Sequence, residues 1–265
     1  MNAKATRVIA IANEKGGVGK TVTVINLGAA LVRDGKQVLI IDMDPQANAT
    51  KGVGFQMQEE QLSIYDLLKE PEKHKIDDLI IPTQWEGLYL IPSHVDLSGA
   101  EVELVDEEGR ENRLREVCEN LSKNFDYILL DTPPSLSLLT INVLTYAGEV
   151  LVPCQTQPYA YAALEDLFDT IEAVNEEINP NLHVSGIVAT FFDKRTRVSQ
   201  NILDKLKESE KYRRLLFDTV VRTNTTIAES AEVGKPVVFY RSGSYGAKDY
   251  SKLARELMNR DAGAF

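Results

Sequence analysis

Lys15-Gly16-Gly17-Val18-Gly19-Lys20-Thr21 is a run of residues that could hold a phosphate chain. Its glycines let the backbone wrap closely around phosphate oxygens with the N–H groups turned inward. A helix starting at this loop would add the partial positive charge of its N-terminus. Lys20 would reach the β- and γ-phosphates, and the Thr21 hydroxyl would bind Mg²⁺. The end of the run matches the G-K-[ST] of a Walker A loop, whose full pattern has a glycine where this chain has Glu14. A second lysine, Lys15, follows that glutamate.

Carboxylates occur where such a loop needs them. In Ile41-Asp42-Met43-Asp44-Pro45-Gln46, the two-residue spacing puts Asp42 and Asp44 on the same side of an extended chain. In Tyr127-Ile128-Leu129-Leu130-Asp131, four apolar residues precede an aspartate, the Walker B form. Asp131 would hold Mg²⁺ through water, opposite Thr21. Carboxylates gathered this closely need a cation, and Mg²⁺ favours oxygen ligands.

These groups can meet only if strands end together. The residues Arg7-Val8-Ile9-Ala10-Ile11-Ala12 read as a buried strand. Further strands are expected at 37–42, 88–92, 127–130, 150–153, 184–190 and 217–221. Helices are expected at 21–33, 98–104, 110–122, 136–146, 160–177, 198–209 and 246–259. Continuous Val/Ile/Leu runs separated by helices predict a parallel sheet covered on both faces. The expected fold is α/β: a single doubly wound domain over 1–265, with a mostly parallel central sheet flanked by helices, of P-loop NTPase type. The acidic, less regular segment 55–86 is expected at the periphery.

Composition agrees with a soluble globular chain, at 43% apolar and 26% charged over 265 residues. No apolar run approaches the roughly 18 residues of a membrane span, so no stable membrane insertion is expected. The N-terminal residues lack a signal-peptide layout, and Cys118 and Cys154 are too few for a disulfide scaffold, which predicts a cytoplasmic protein. The net charge of −11 argues against a nucleic-acid partner when taken whole. It is unevenly spread. Residues 1–193 hold 14 Lys+Arg against 31 Asp+Glu, whereas 194–260 hold 15 against 8. Such asymmetry signals a partner for the basic C-terminal third.

The loop resembles the deviant Walker A motif of the ParA/MinD ATPase superfamily. Asp44-Pro45-Gln46-Ala47-Asn48-Ala49-Thr50 is similar to the D-P-Q-G-N-A-T of the chromosomal, Soj-type ParA branch, with Ala47 for glycine. Ile91-Pro92-Ser93, Leu97-Ser98-Gly99-Ala100-Glu101-Val102-Glu103-Leu104, Asp131-Thr132-Pro133-Pro134-Ser135 and Gly234-Lys235-Pro236-Val237 extend the resemblance over nearly the whole chain. It implies a nucleotide site at Lys15, Gly16, Gly17, Val18, Gly19, Lys20, Thr21 and Val22, with ATP and Mg²⁺ as cofactors. Lys15 would reach across a homodimer to the partner's phosphates, as a finger residue supplied in trans. Lys20 would act on the same phosphates, Asp44 would orient the attacking water, and Thr21, Asp42 and Asp131 would form the metal surroundings. Val22 departs from the family's second threonine, removing a hydroxyl while leaving the backbone N–H.

The resemblance further implies a dimer that binds DNA without sequence preference when ATP-bound. A ParB-like protein would stimulate hydrolysis and release it, so that chromosome, plasmid or other cargo is segregated and the protein is nucleoid-associated. The DNA-facing cations would be Arg195, Arg197, Arg222, Lys248, Lys252 and Arg255; non-specific phosphate contact needs only such charges. A second family arginine is replaced by Thr225. The alternative is a MinD/FlhG-like membrane-surface ATPase, which would end in a basic, bulky amphipathic extension. The tail after Met258 has only one bulky apolar residue, Phe265.

Overall fold

The computed structural model describes residues 5–260 other than 59, 120 and 122. Residues 261–265 of the tail, and 120 and 122 of the helix expected at 110–122, lie outside the described residues. The described chain contains one sheet built from β1 (Arg7–Ile11), β2 (Val38–Asp42), β3 (Ile81–Pro82), β4 (Leu88–Ile91), β5 (Tyr127–Asp131), β6 (Glu149–Gln155) and β7 (His183–Thr190). Their spatial order is β3-β4-β2-β5-β1-β6-β7. Neighbours run parallel except β3 and β4, an antiparallel pair at the edge. After β1 the chain builds outward to one side through β2 and β4, then to the other through β6 and β7. A crevice opens where that direction reverses, at the carboxyl ends of the central strands.

The helices are α1 (Lys20–Arg33), α2 (Asn48–Gly52), α3 (Ile64–Lys69), α4 (Leu97–Glu103), α5 (Arg113–Cys118), α6 (Leu138–Tyr146), α7 (Ala162–Glu177), α8 (Arg197–Glu208), α9 (Thr225–Glu232), α10 (Val237–Tyr240) and α11 (Tyr245–Asn259). Strand periodicity divides the core in two. Ile9, Ile11, Ile40 and Leu129 face the layer containing Leu27 and Leu31 of α1 and Leu253 of α11. Ala10, Ile41, Ile128 and Leu130 face the other layer, with Leu114, Leu139 and Leu164. This two-sided covering is why the strands read as continuous apolar runs.

Two expectations are corrected. Residues 217–221 form no strand. Phe217 and Val221 donate N–H groups to Ile187 and Ala189 of β7 at 2.8 Å, but Asp218 and Thr219 donate theirs to the Glu256 carboxylate of α11. The carboxylate takes the donors that would have continued a ladder, so isolated bridges remain. The helix expected at 110–122 is a 3₁₀ turn over Arg110–Asn112 followed by the short α5. The Asn142 side chain pins this segment, donating to the Arg110 carbonyl and accepting from the Leu114 N–H.

Candidate active site

The sequence Gly-Lys-Thr turns from β1 into α1 at this crevice. Gly19 adopts φ 93° as the N-cap of α1, and Gly17 has φ 76°. These left-handed conformations are strained for residues with a Cβ, and they fold the loop's N–H groups toward one point. Gly16 and Gly17 are exposed, while Val18 and Lys20 are buried. The loop is held from behind: the Thr190 hydroxyl at the end of β7 donates to the Val18 carbonyl at 2.8 Å. The Lys20 ammonium donates to the Asn13 and Lys15 carbonyls at 2.9 and 3.3 Å. Burial lowers its pKa, opposed by the charges of Asp131 and Asp44.

Lys15 points elsewhere. Its Nζ donates to the Pro158 carbonyl at 3.4 Å on the exposed side of the loop. Its neighbour Glu14, which displaced the usual glycine, accepts a hydrogen bond from Thr170 of α7 at 3.1 Å. The two lysines of the loop therefore face different surroundings, one inward and one toward the molecular surface.

Asp42 and Asp131 end adjacent strands in direct register, and both are fully buried. Their environments differ. Asp42 Oδ2 accepts from the Thr50 N–H and hydroxyl at 2.8 and 2.7 Å, and Oδ1 from the Asp44 N–H at 3.2 Å. Neither carboxylate oxygen of Asp131 has a hydrogen-bond partner. Thr21 approaches closely enough to favour its charged form but closes no hydrogen bond. Burial raises the Asp131 pKa well above the ordinary carboxylate range, and the nearby charge of Asp42 raises it further. Burial also raises Asp42, partly offset by the Thr50 hydrogen bonds. Asp44 lies close by at 7% exposure, its Oδ1 accepting from the Gln46 N–H at 2.9 Å.

Bare, buried carboxylate oxygens beside a threonine hydroxyl suit a hard cation. Among the described residues, no three His, Cys, Asp or Glu side chains form a cage for a metal ion. A cation here would complete its shell with phosphate oxygens and water, the habit of Mg²⁺ rather than Ca²⁺ or Zn²⁺. Beside the loop lies a cavity of about 320 Å³, lined by Val22, Phe191, Thr225, Ile227 and Tyr250 among others. Phe191, itself at φ 50°, leans over Gly19 so closely that a Cβ there would sit 3.2 Å from the ring. Sequence motifs gave no signal for Phe191 or Thr190, because tertiary folding brings β7 to the loop.

The matches with known proteins agree with this geometry. A family profile described as an AAA domain matches residues 6–184. The chain is 40% identical to the chromosome partitioning protein ParA of Myxococcus xanthus, over 96% of this chain and 89% of that protein. It is likewise 40% identical to the sporulation initiation inhibitor protein Soj of Bacillus subtilis, over 95% and 98%. The chain belongs to the ParA/MinD superfamily of P-loop ATPases, on its Soj-type branch. The same fold recurs in a cobyrinic acid a,c-diamide synthase from Mycobacterium smegmatis with bound ATP analogue and magnesium. That match has a TM-score of 0.81 and 33% identity, covering 96% of this chain and 95% of the other.

In this ParA/MinD chain the basic third sorts into engaged and open cations. Arg222 grips the buried Asp249 of α11 with two guanidinium nitrogens and stacks 4.2 Å from the Tyr245 ring centroid. Arg195 is exposed but paired with Asp193, and Arg255 contacts Asp34 at 3.2 Å. Arg197 opens α8 in an exposed position. Lys248 and Lys252 are exposed on α11, on the same helix face as Arg255. Asn224 caps α9 by accepting from the Thr226 N–H, so Thr225 stands at that helix's first turn. Among the described residues, no helix is long and apolar enough to cross a membrane.

Proposed function

We propose that this chain is a partition-type switch driven by ATP. Mg²⁺-ATP would close a homodimer, the dimer would hold DNA without reading its sequence, and a ParB-like partner would trigger hydrolysis and release. The observation that carries the nucleotide part is the unpartnered, fully buried Asp131 carboxylate beside a glycine loop with an inward lysine. The relatives named for chromosome partitioning support the biological role, and a structural neighbour holding an ATP analogue and magnesium supports the cofactors.

Bound Mg²⁺ would neutralise phosphate charge as it develops during transfer. Thr21 and Asp131 would hold the ion, with Asp42 behind them. Lys20 would lie along the β- and γ-phosphates, and loop N–H groups from Gly16 to Val22 would cradle them. Asp44 would orient the attacking water. Lys15, at the exposed side of its loop, would serve a partner's phosphates rather than its own. The open cations Arg197, Lys248 and Lys252, with Arg195 and Arg255 beside them, would meet DNA phosphates. Arg222 would contribute chiefly by bracing α11 through Asp249. The ATP-bound protein would then be nucleoid-associated.

Gel shifts with ATP, ADP and no nucleotide test the switch. DNA retention should require ATP and fall steeply with salt; equal retention in all three states sinks the proposal. Lys15→Ala should lower stimulated turnover about 10³-fold or more, the scale of a finger residue, while monomer nucleotide binding persists. Unchanged turnover would remove Lys15 from the trans role.

A further inference from the structure

We infer that Thr50 is the positioning residue of the metal-and-water site, an assignment that rests on the nucleotide reading above. Asp42 and Asp131 are the same residue type at the same level of adjacent strands, and both are fully buried. Only one of them is tied. A carboxylate offers about four acceptor positions. Thr50 fills two at Asp42 with its N–H and hydroxyl, and the Asp44 N–H takes a third. Asp131 keeps all of its own. Thr50 thus makes Asp42 a fixed support and leaves Asp131 as the carboxylate that meets the cation.

The local chain explains how Thr50 reaches this point. The Asp44-Pro45-Gln46 turn closes with the Ala47 N–H donating to the Asp44 carbonyl at 2.8 Å. Ala47 then takes a left-handed φ of 51° and starts α2, whose first turn carries Thr50 back onto Asp42. Thr50 is 1% exposed, and its hydroxyl also accepts from the Ser93 N–H at 3.0 Å. One hydroxyl therefore joins the end of β2 to the segment after β4. Because Asp42 holds the Asp44 N–H, a shift of Asp42 moves the backbone that carries Asp44. Thr50 thus acts on Asp42 directly and on Asp44 through Asp42, from a buried position.

The test compares Thr50→Val, which keeps shape and the backbone N–H but loses the hydroxyl, with Thr50→Ser, which keeps the hydroxyl. Binding of a fluorescent ATP analogue is titrated with and without Mg²⁺, and kcat and KM for ATP are measured separately. Thr50→Val should bind the analogue normally without Mg²⁺. It should lose about 10–100-fold in apparent Mg²⁺ affinity and a similar factor in kcat, the range for outer-shell partners of a metal site. KM measured at saturating Mg²⁺ should hardly move, and Thr50→Ser should restore most of the loss. If Thr50→Val does not fold, Thr50→Ala carries the same comparison. The Ser93 N–H loses its acceptor in either variant, so a lowered Tm alone does not count in favour. Unchanged Mg²⁺ affinity and kcat in Thr50→Val overturn the assignment, as does a Thr50→Ser protein no better than Thr50→Val. A wild type that binds no Mg²⁺-ATP overturns the nucleotide reading and this assignment with it.

Discussion

Two sets of buried charges lie at opposite ends of the same sheet. At the amino ends of the strands, Arg7 of β1 forms a two-pronged pair with Glu149 of β6 at 2.7 and 2.6 Å. The remaining guanidinium nitrogen donates to the Leu257 and Arg260 carbonyls, tying α11 to the sheet. Both side chains are about as buried as a core leucine, at 5% and 3% exposure. At the carboxyl ends, Asp131 is equally deep and bonded to nothing. The first set is complete within the chain and needs no ligand. The second is incomplete without one. Burial alone therefore does not separate structural from functional charge; the separation lies in whether partners are present.

Breaking the complete set should have the largest effect. Arg7→Ala leaves the Glu149 carboxylate buried and alone, and should cost about 3–5 kcal/mol of stability in urea unfolding. Replacing both by leucine should recover most of that. An unchanged midpoint for Arg7→Ala would show that water reaches the pair and that the two ends are alike.

The incomplete set should respond in the opposite sense. Asp131→Asn replaces a carboxyl that burial and the Asp42 charge make hard to ionise with a neutral amide, and should stabilise the nucleotide-free protein at neutral pH by about 1–3 kcal/mol, while Mg²⁺-dependent turnover is lost. The pH dependence follows from the raised Asp131 pKa. A carboxyl whose folded value lies above its unfolded value favours folding at low pH, and that contribution disappears as pH rises through the folded value. Wild-type stability without nucleotide should therefore fall as pH rises above the ordinary carboxylate range, less steeply in Asp131→Asn. Parallel pH curves for the two proteins would contradict the assigned environment.

The smallest effect concerns the turn that delivers Thr50. Ala47 holds a left-handed φ of 51° where the family pattern has glycine. Ala47→Gly should relieve that conformation and raise stability by about 1 kcal/mol or less, because glycine gives back part of the gain as chain entropy. A lowered Tm would mean that the Ala47 methyl group, 7% exposed as a residue, contributes more by packing than it costs in strain.

Motif and periodicity carried much of the architecture. Apart from Arg7 and the terminal aspartates, the central strands β1, β2 and β5 are continuous apolar runs, and the loop lysines and the aspartates follow or end them in readable patterns. The short helices α2, α3, α9 and α10 leave no periodic signal in the sequence, because four to eight residues span too few turns for a helical period to stand out. The 217–221 segment looked like a strand because its local preference is extended, and its backbone donors were claimed by Glu256, a residue distant in sequence.

Residue type and order determined the phosphate loop, the apolar strand runs and the placing of Asp42, Asp44 and Asp131 at or just after strand ends, because each depends on spacing along one strand or turn; the pairing of β2 with β5 then set Asp42 beside Asp131. Tertiary structure decided which charges are engaged. It gave Arg222 to Asp249, turned Lys15 outward, brought Thr190 to the loop and separated a wrapped Asp42 from a bare Asp131. The reason is physical: a charged group's role depends on its desolvation and its hydrogen-bond partners, and both come from segments that meet only when the chain has folded.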